Sequence, residues 1–212
     1  MPSSQRDAPT GIGKREQSGP RWIWFITGPT ACGKTTVAKS LAESLGFMFV
    51  EGDDYHPQAN LDKMSRNEPL TDADRAAWLQ ALREHQEAQP SPPPHFESAR
   101  AFSRAAPSPH LVVTCSALKR QYRDVLRTGG QHTRDLRVRF VFLDVPEDVL
   151  RERARQRRGH FAGEGLVGSQ MEALERPGEG EGDVLVVKVG REAEVEETEA
   201  EVLRRVRAEM GV

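Results

Sequence analysis

Apolar positions along this chain alternate between two periods. Trp22–Thr27 is a short, nearly unbroken apolar run, the pattern of a strand covered on both faces. After a glycine-rich turn, Val37, Ala38, Leu41, Ala42 and Leu45 recur at helical spacing, and Gly46 is placed to stop that helix. Phe47–Val50 predicts a second strand whose end delivers Glu51, Asp53 and Asp54 into a loop. A further helix opens near Thr71, where Thr71-x-x-Asp74 has the form of a capping box with Asp in place of Glu. Leu111–Cys115, Val138–Leu143 and Val184–Val189 predict three more strands, and Leu118–Arg127, Pro146–Arg158 and Ala193–Met210 predict helices. Pro146 suits a first helical position, where its missing N–H costs nothing. Strands alternating with helices predict an α/β fold, a three-layer α/β/α arrangement around a parallel sheet of about five strands.

Two stretches break these periods. Residues 1–20 are polar and rich in Ser, Pro and Gly, burying too little apolar surface to offset ordering, and read as a disordered leader. Residues 89–109 carry a Pro-Pro-Pro run and read as a surface insert in a domain that spans 21–212. They explain why apolar residues make up only 37% of the 212 residues. A net charge of −2 supplies no general field toward nucleic acid or anionic membrane. Cys32 and Cys115 are too few for a disulfide framework, and no apolar run approaches the roughly 20 residues of a membrane span. The N-terminus lacks a secretory apolar region, so a cytoplasmic protein is expected.

The turn after the first strand carries the clearest chemistry. Gly28-Pro29-Thr30-Ala31-Cys32-Gly33-Lys34-Thr35 satisfies G-x-x-x-x-G-K-[ST] between an apolar strand and an amphipathic helix, the setting a phosphate loop needs. Successive N–H groups of such a loop, continuing to Thr36, cradle the phosphates of ATP at a helix N-terminus. Lys34 is expected to neutralise the β- and γ-phosphates and Thr35 to offer its hydroxyl to Mg²⁺. Cys32 reads as a small side chain tolerated in a tight loop, with a redox role as the alternative. No aspartate ends the strand Leu111–Cys115, which points away from the GTPase and motor style of metal site. Small-metabolite kinases, with Asp53 near metal and substrate, fit better.

Glu51-Gly-Asp-Asp-Tyr-His-Pro57, Asn60, Lys63-Met64, Asn67-Glu-Pro-Leu-Thr-Asp-x-Asp-Arg75 and Trp78-Leu79 closely resemble the gluconokinase family. So do Cys115-Ser-Ala-Leu-Lys119, Tyr122-Arg123-Asp124, Arg157-x-Gly-His-Phe161, Ser169-Gln170 and Leu174-Glu175. The resemblance implies phosphoryl transfer from ATP to the 6-hydroxyl of D-gluconate, whose product feeds the pentose phosphate pathway. It also suggests a homodimer. Asp53 is the candidate to orient the acceptor hydroxyl and take its proton, a helix cap or turn carboxylate being its other reading. By analogy His56, Arg75, Lys119 and Arg123 are candidate contacts for the acid and hydroxyls of gluconate, though each also suits a surface charge or structural ion pair. Trp78 reads as core rather than a sugar platform.

The run Arg151, Arg153, Arg155, Arg157 and Arg158 admits a solvated helix face or a nucleic-acid patch, but it lacks interleaved aromatics. The resemblance makes residues 151–175 a closing lid, with Arg153 and Arg157 reaching the nucleotide and Gly159, Gly163, Gly165 and Gly168 supplying freedom to close. A shikimate- or adenylate-kinase relative, or a nucleotide-binding regulator without turnover, are the rival readings.

Overall fold

The computed structural model describes residues 19–66, 68–87, 108–129, 135–156 and 164–212. The predicted leader, apart from its last two residues, lies outside them, as do nearly all of the proline-rich insert and the stretch 157–163 that includes Arg157.

The described chain runs β1 (Arg21–Thr27), α1 (Lys34–Leu45), β2 (Met48–Val50), α2 (Gln58–Ser65), α3 (Asp72–Glu87), β3 (Leu111–Thr114), α4 (Arg120–Thr128), β4 (Leu136–Asp144), α5 (Glu147–Gln156), α6 (Glu164–Ala173), β5 (Val184–Lys188) and α7 (Val195–Met210), with a short 3₁₀ turn at Gly52–Tyr55. The strands form one parallel sheet in the order β2-β3-β1-β4-β5. From β1 the chain first builds β2 and β3 on one side, then crosses to build β4 and β5 on the other. The crevice at the C-terminal end of β1 is therefore a topological switch point, where α/β sheets bind ligands.

Alternation along β1 assigns its side chains to two cores. Ile23 and Phe25 pack with Trp78, Leu79 and Leu82 of α3 and Tyr122 and Leu126 of α4. Trp24 and Ile26 pack with Val37, Ala38, Leu41 and Ala42 of α1, Val149 and Leu150 of α5, Val167 of α6, and Val202 and Val206 of α7. Both faces are covered, which is why β1 reads as a continuous apolar run. Burying each of these large side chains contributes about 1.5–3 kcal/mol, offset by the entropy of ordering the chain.

The helix ends obey local rules. Gly46 closes α1 in the left-handed region at φ 66°. Thr71 and Asp74 form the reciprocal box, Thr71 N–H donating to Asp74 Oδ2 at 2.8 Å and Asp74 N–H to Thr71 Oγ1 at 3.2 Å. Periodicity did not reveal α2, a helix of eight residues in which Asn60 alone is buried, because too few apolar positions mark its face. Gly165 and Gly168 lie within α6 rather than in a loop, so their place is in a regular helix.

Candidate active site

The donor half of the site is built where β1 runs into α1. Gly28 has φ 138°, and a Cβ there would lie 2.9 Å from Cys32 Sγ and 3.1 Å from Leu143 O, so both conformation and space demand glycine. Ala31 at φ 63° and Gly33 at φ 97° continue the left-handed curl. Gly28 N–H donates to Ser116 O at 3.2 Å, tying the loop to the β3–α4 connection. Gly33 caps α1 without any side-chain hydrogen bond, leaving its first N–H groups and positive dipole end for an anion. Lys34 Nζ donates to Gly28 O at 3.1 Å and Pro29 O at 2.9 Å, which holds the ammonium over the loop. Cys32 is buried and packs in the α1 core, the small-residue role.

Thr35 Oγ1 donates to Glu51 Oε2 at 2.9 Å, and Thr114 Oγ1 bonds the other Glu51 oxygen. The carboxylate beside the Thr35 hydroxyl thus comes from the end of β2, not from β3. Paired hydroxyl and carboxylate oxygens suit Mg²⁺, which prefers hard oxygen ligands and often takes only one or two from protein beside phosphate and water. Among the described residues there is no group of three or more His, Cys, Asp or Glu able to hold a metal. The loop and this pair therefore fit a magnesium–nucleotide complex.

The other half, where the acceptor is expected, hangs on Gly52. Its N–H donates to Thr114 Oγ1 at 3.0 Å, its carbonyl accepts from Trp78 Nε1 at 2.7 Å, and a Cβ would stand 1.9 Å from Thr114 O. That close approach presses the 3₁₀ turn against β3 and α3 and sets the next residue, Asp53, with 60% of its side chain exposed. His56 is buried and stacks on Trp78 at 4.2 Å between ring centroids. Burial, and then the Arg75 charge, lower its pKa to about 4, so it is neutral rather than one of the expected cations. Asn60 Nδ2 lies 3.2 Å from His56 Nδ1 and can only donate, which puts the imidazole proton on Nε2, 3.8 Å from Asp53 Oδ1. Arg75 donates through Nη1 to Leu70 O, with its guanidinium 5.7 Å from the Tyr122 ring centroid.

One cavity joins the two halves. Thr30 and Lys34 line it from the phosphate loop, and Asp53, His56, Arg75 and Trp78 line it from the acceptor side. Met64, Glu68, Leu70, Ser116, Leu166 and Gln170 complete its wall. Ser116 and Gln170 lie in blocks of the family resemblance without a role having been read for them. Met64, Glu68 and Leu70 lie in such blocks too, and Leu166 alone carries no sequence signal beyond being apolar. Trp78 is core, at 1% exposure, with one edge on this cavity.

Other expected contacts are placed elsewhere. Lys119 Nζ is held by both oxygens of Asp72 at 2.7 and 2.8 Å, and Tyr122 and Gln121 donate to the same carboxylate, so this cluster clamps α3 to α4. Arg123 is fully buried and does not line the cavity. Its guanidinium is engaged bidentately by Glu181 at 2.7 Å and donates to Ala117 O and Leu118 O, which leaves it no reach toward a substrate. Arg153 is half-buried on α5 and is not a lining residue, and Arg157 lies outside the described residues.

The AAA domain family matches residues 25–175. The gluconokinase of Gluconobacter oxydans is 40% identical over 190 residues, which cover 90% of this chain and 93% of that protein. The thermoresistant gluconokinase of Escherichia coli is 36% identical over 172 residues, 81% of this chain and 87% of that one. Among solved structures, a gluconokinase from Sinorhizobium meliloti superposes with a TM-score of 0.63 at 36% identity, covering 90% of this chain and 97% of its own.

Proposed function

The chain belongs to the gluconokinase family, and from that premise we propose that it transfers the γ-phosphoryl group of ATP to the 6-hydroxyl of D-gluconate. The observation that carries the proposal is the shared cavity, in which Lys34 and Thr30 of the phosphate loop face the same space as Asp53, His56 and Arg75. A phosphoryl donor and a polyhydroxy acid bound there are held together, which is most of what phosphoryl transfer asks of a protein.

Bound ATP with Mg²⁺ supplies the phosphoryl group and much of the counter-charge. The loop N–H groups, the α1 dipole and Lys34 hold the phosphates, Lys34 compensating charge that builds on the transferring group. Thr35 and Glu51 are the residues we assign to the metal side. Asp53 would accept the proton of the attacking hydroxyl as that hydroxyl's oxygen bonds the γ-phosphorus and the bond from that phosphorus to the bridging oxygen breaks, releasing ADP, and the neutral His56 donates its Nε2–H toward Asp53 or an acceptor hydroxyl. Arg75 is the cation available for the gluconate carboxylate. Arg153 and Arg157 keep the nucleotide-side role that the family resemblance suggests, and a homodimer rests on that resemblance alone. No helix among the described residues is long and apolar enough to cross a membrane, and a cytoplasmic site of action agrees with the composition.

Coupled measurement of ADP release with D-gluconate, shikimate, AMP or no acceptor tests this reading. Stimulation by gluconate alone is expected. Stimulation by shikimate or AMP in its place, or by none of them, overturns the substrate assignment.

A further inference from the structure

We propose that Gln170 of α6 binds an oxygen of the acceptor substrate, its side-chain amide being locked by the phosphate loop into a donor-only orientation. The proposal rests on the acceptor reading above.

Thr30 N–H donates to Gln170 Oε1 at 2.7 Å. A backbone N–H cannot accept, so the atom facing it has to be the carbonyl oxygen, which fixes the amide orientation and leaves Nε2 with two N–H donors. Nε2 makes no hydrogen bond among the described residues, and Gln170 lies on the cavity wall. Leu166, four residues earlier on α6, lines the same cavity, so these two residues form the one helical face that α6 turns to the site.

The helix does not need Gln170 to stay in place. Val167 is fully buried and Met171 packs against the same core, on the neighbouring face of the helix. Beyond the helix, Glu175 N–H donates to Leu118 O at 2.9 Å and its carboxylate accepts from Arg120 N–H at 2.7 Å. With α6 so anchored, a donor that is oriented and unpaired has a use only toward what enters the cavity. The nearby carboxylates of Asp53 and Glu68 accept hydrogen bonds, so an amide NH₂ adds a neutral donor suited to a hydroxyl or carboxylate oxygen of a polyol acid.

Two variants of the full chain separate substrate contact from simple latching. Gln170→Glu keeps an oxygen for Thr30 N–H but loses the donor, and Gln170→Met, neutral and of similar length, loses both. The inference expects KM for gluconate to rise at least about tenfold in both, with the Kd of a non-hydrolysable ATP analogue and the Tm of Gln170→Glu within about twofold and 2 °C of wild type. An unchanged gluconate KM in either variant overturns it, and so does a parallel loss of analogue and gluconate affinity in Gln170→Glu. Wild type measured alongside keeps the two readings apart: absence of gluconate turnover there refutes the function, whereas normal wild-type turnover with unaltered variants refutes the role of Gln170.

Discussion

Asp53 and His56 stand three residues apart, an exposed carboxylate beside a buried neutral imidazole, and in the proposed reaction they divide the acceptor chemistry. Asp53→Asn preserves shape and removes the proton acceptor, so the folded variant should lose about 10²–10⁴ of kcat while circular dichroism and Tm stay near wild type. Lys34→Ala should lower kcat/KM for Mg-ATP by a comparable factor in the same steady-state assay. His56 gives a pH dependence of stability. Its folded pKa of about 4 lies below the ordinary value near 6.5, so the unfolded chain binds the proton first as pH falls. The native state therefore loses up to about 3 kcal/mol as pH drops from 6.5 toward 4. Asp72, Asp74 and Glu181, whose pKa values hydrogen bonds from Lys119, Lys63 and Arg123 hold down to about 2, add a further loss as pH falls through their ordinary values of 3.8 and 4.5, mostly below pH 5. Urea titrations at pH 7 and pH 5 should show the loss in wild type and a smaller one in His56→Gln, the remainder coming from His85 and His110, whose pKa values burial also lowers.

At the scale of elements, the site depends on how the end of β2 is pressed on β3. Gly52→Ala sets a methyl 1.9 Å from Thr114 O, so the turn carrying Asp53 must shift. The expected result is a kcat loss of at least about 10²-fold, together with a lowered Tm. The connection from α6 to β5 is fixed instead by charge: Glu181 bonds both Arg123 and Arg127, and Arg127 also reaches Asp183. Arg123→Ala leaves Glu181 short of a partner in the interior and should cost about 3–5 kcal/mol in chemical denaturation, with KM for gluconate little altered in the protein that remains folded. A large KM effect without loss of stability would return Arg123 to the cavity.

The same element explains what could be read from sequence. The phosphate loop, its strand and its helix were legible because glycine spacing and apolar period are local properties. The exclusion of Arg123 was not, because Tyr122-Arg123-Asp124 gives no sign that Glu181, 58 residues later, folds back onto the guanidinium. His56 read as a cation for a similar reason, since the Trp78 ring that buries it arrives from another helix. Glu51 was visible at a strand end, yet its service to Thr35 depends on the β2–β3–β1 neighbourhood.

For the whole molecule, strand order converts these local pieces into a kinase. Placing β3 between β1 and β2 brings the Ser116 loop against Gly28 and the Gly52 turn against Thr114, so donor and acceptor residues separated in sequence meet at one crevice. Two cores on opposite faces of the sheet hold the parts: α1, α5, α6 and α7 pack in one, and α3 and α4 in the other. Gluconate phosphorylation is the joint property of these halves, and the position phosphorylated reports on both. Phosphorus NMR of the full chain incubated with Mg-ATP and D-gluconate should show ATP loss matched by ADP and a single phosphomonoester coupled to the C6 protons. Release of inorganic phosphate alone, or a phosphoester at another hydroxyl, would contradict the account.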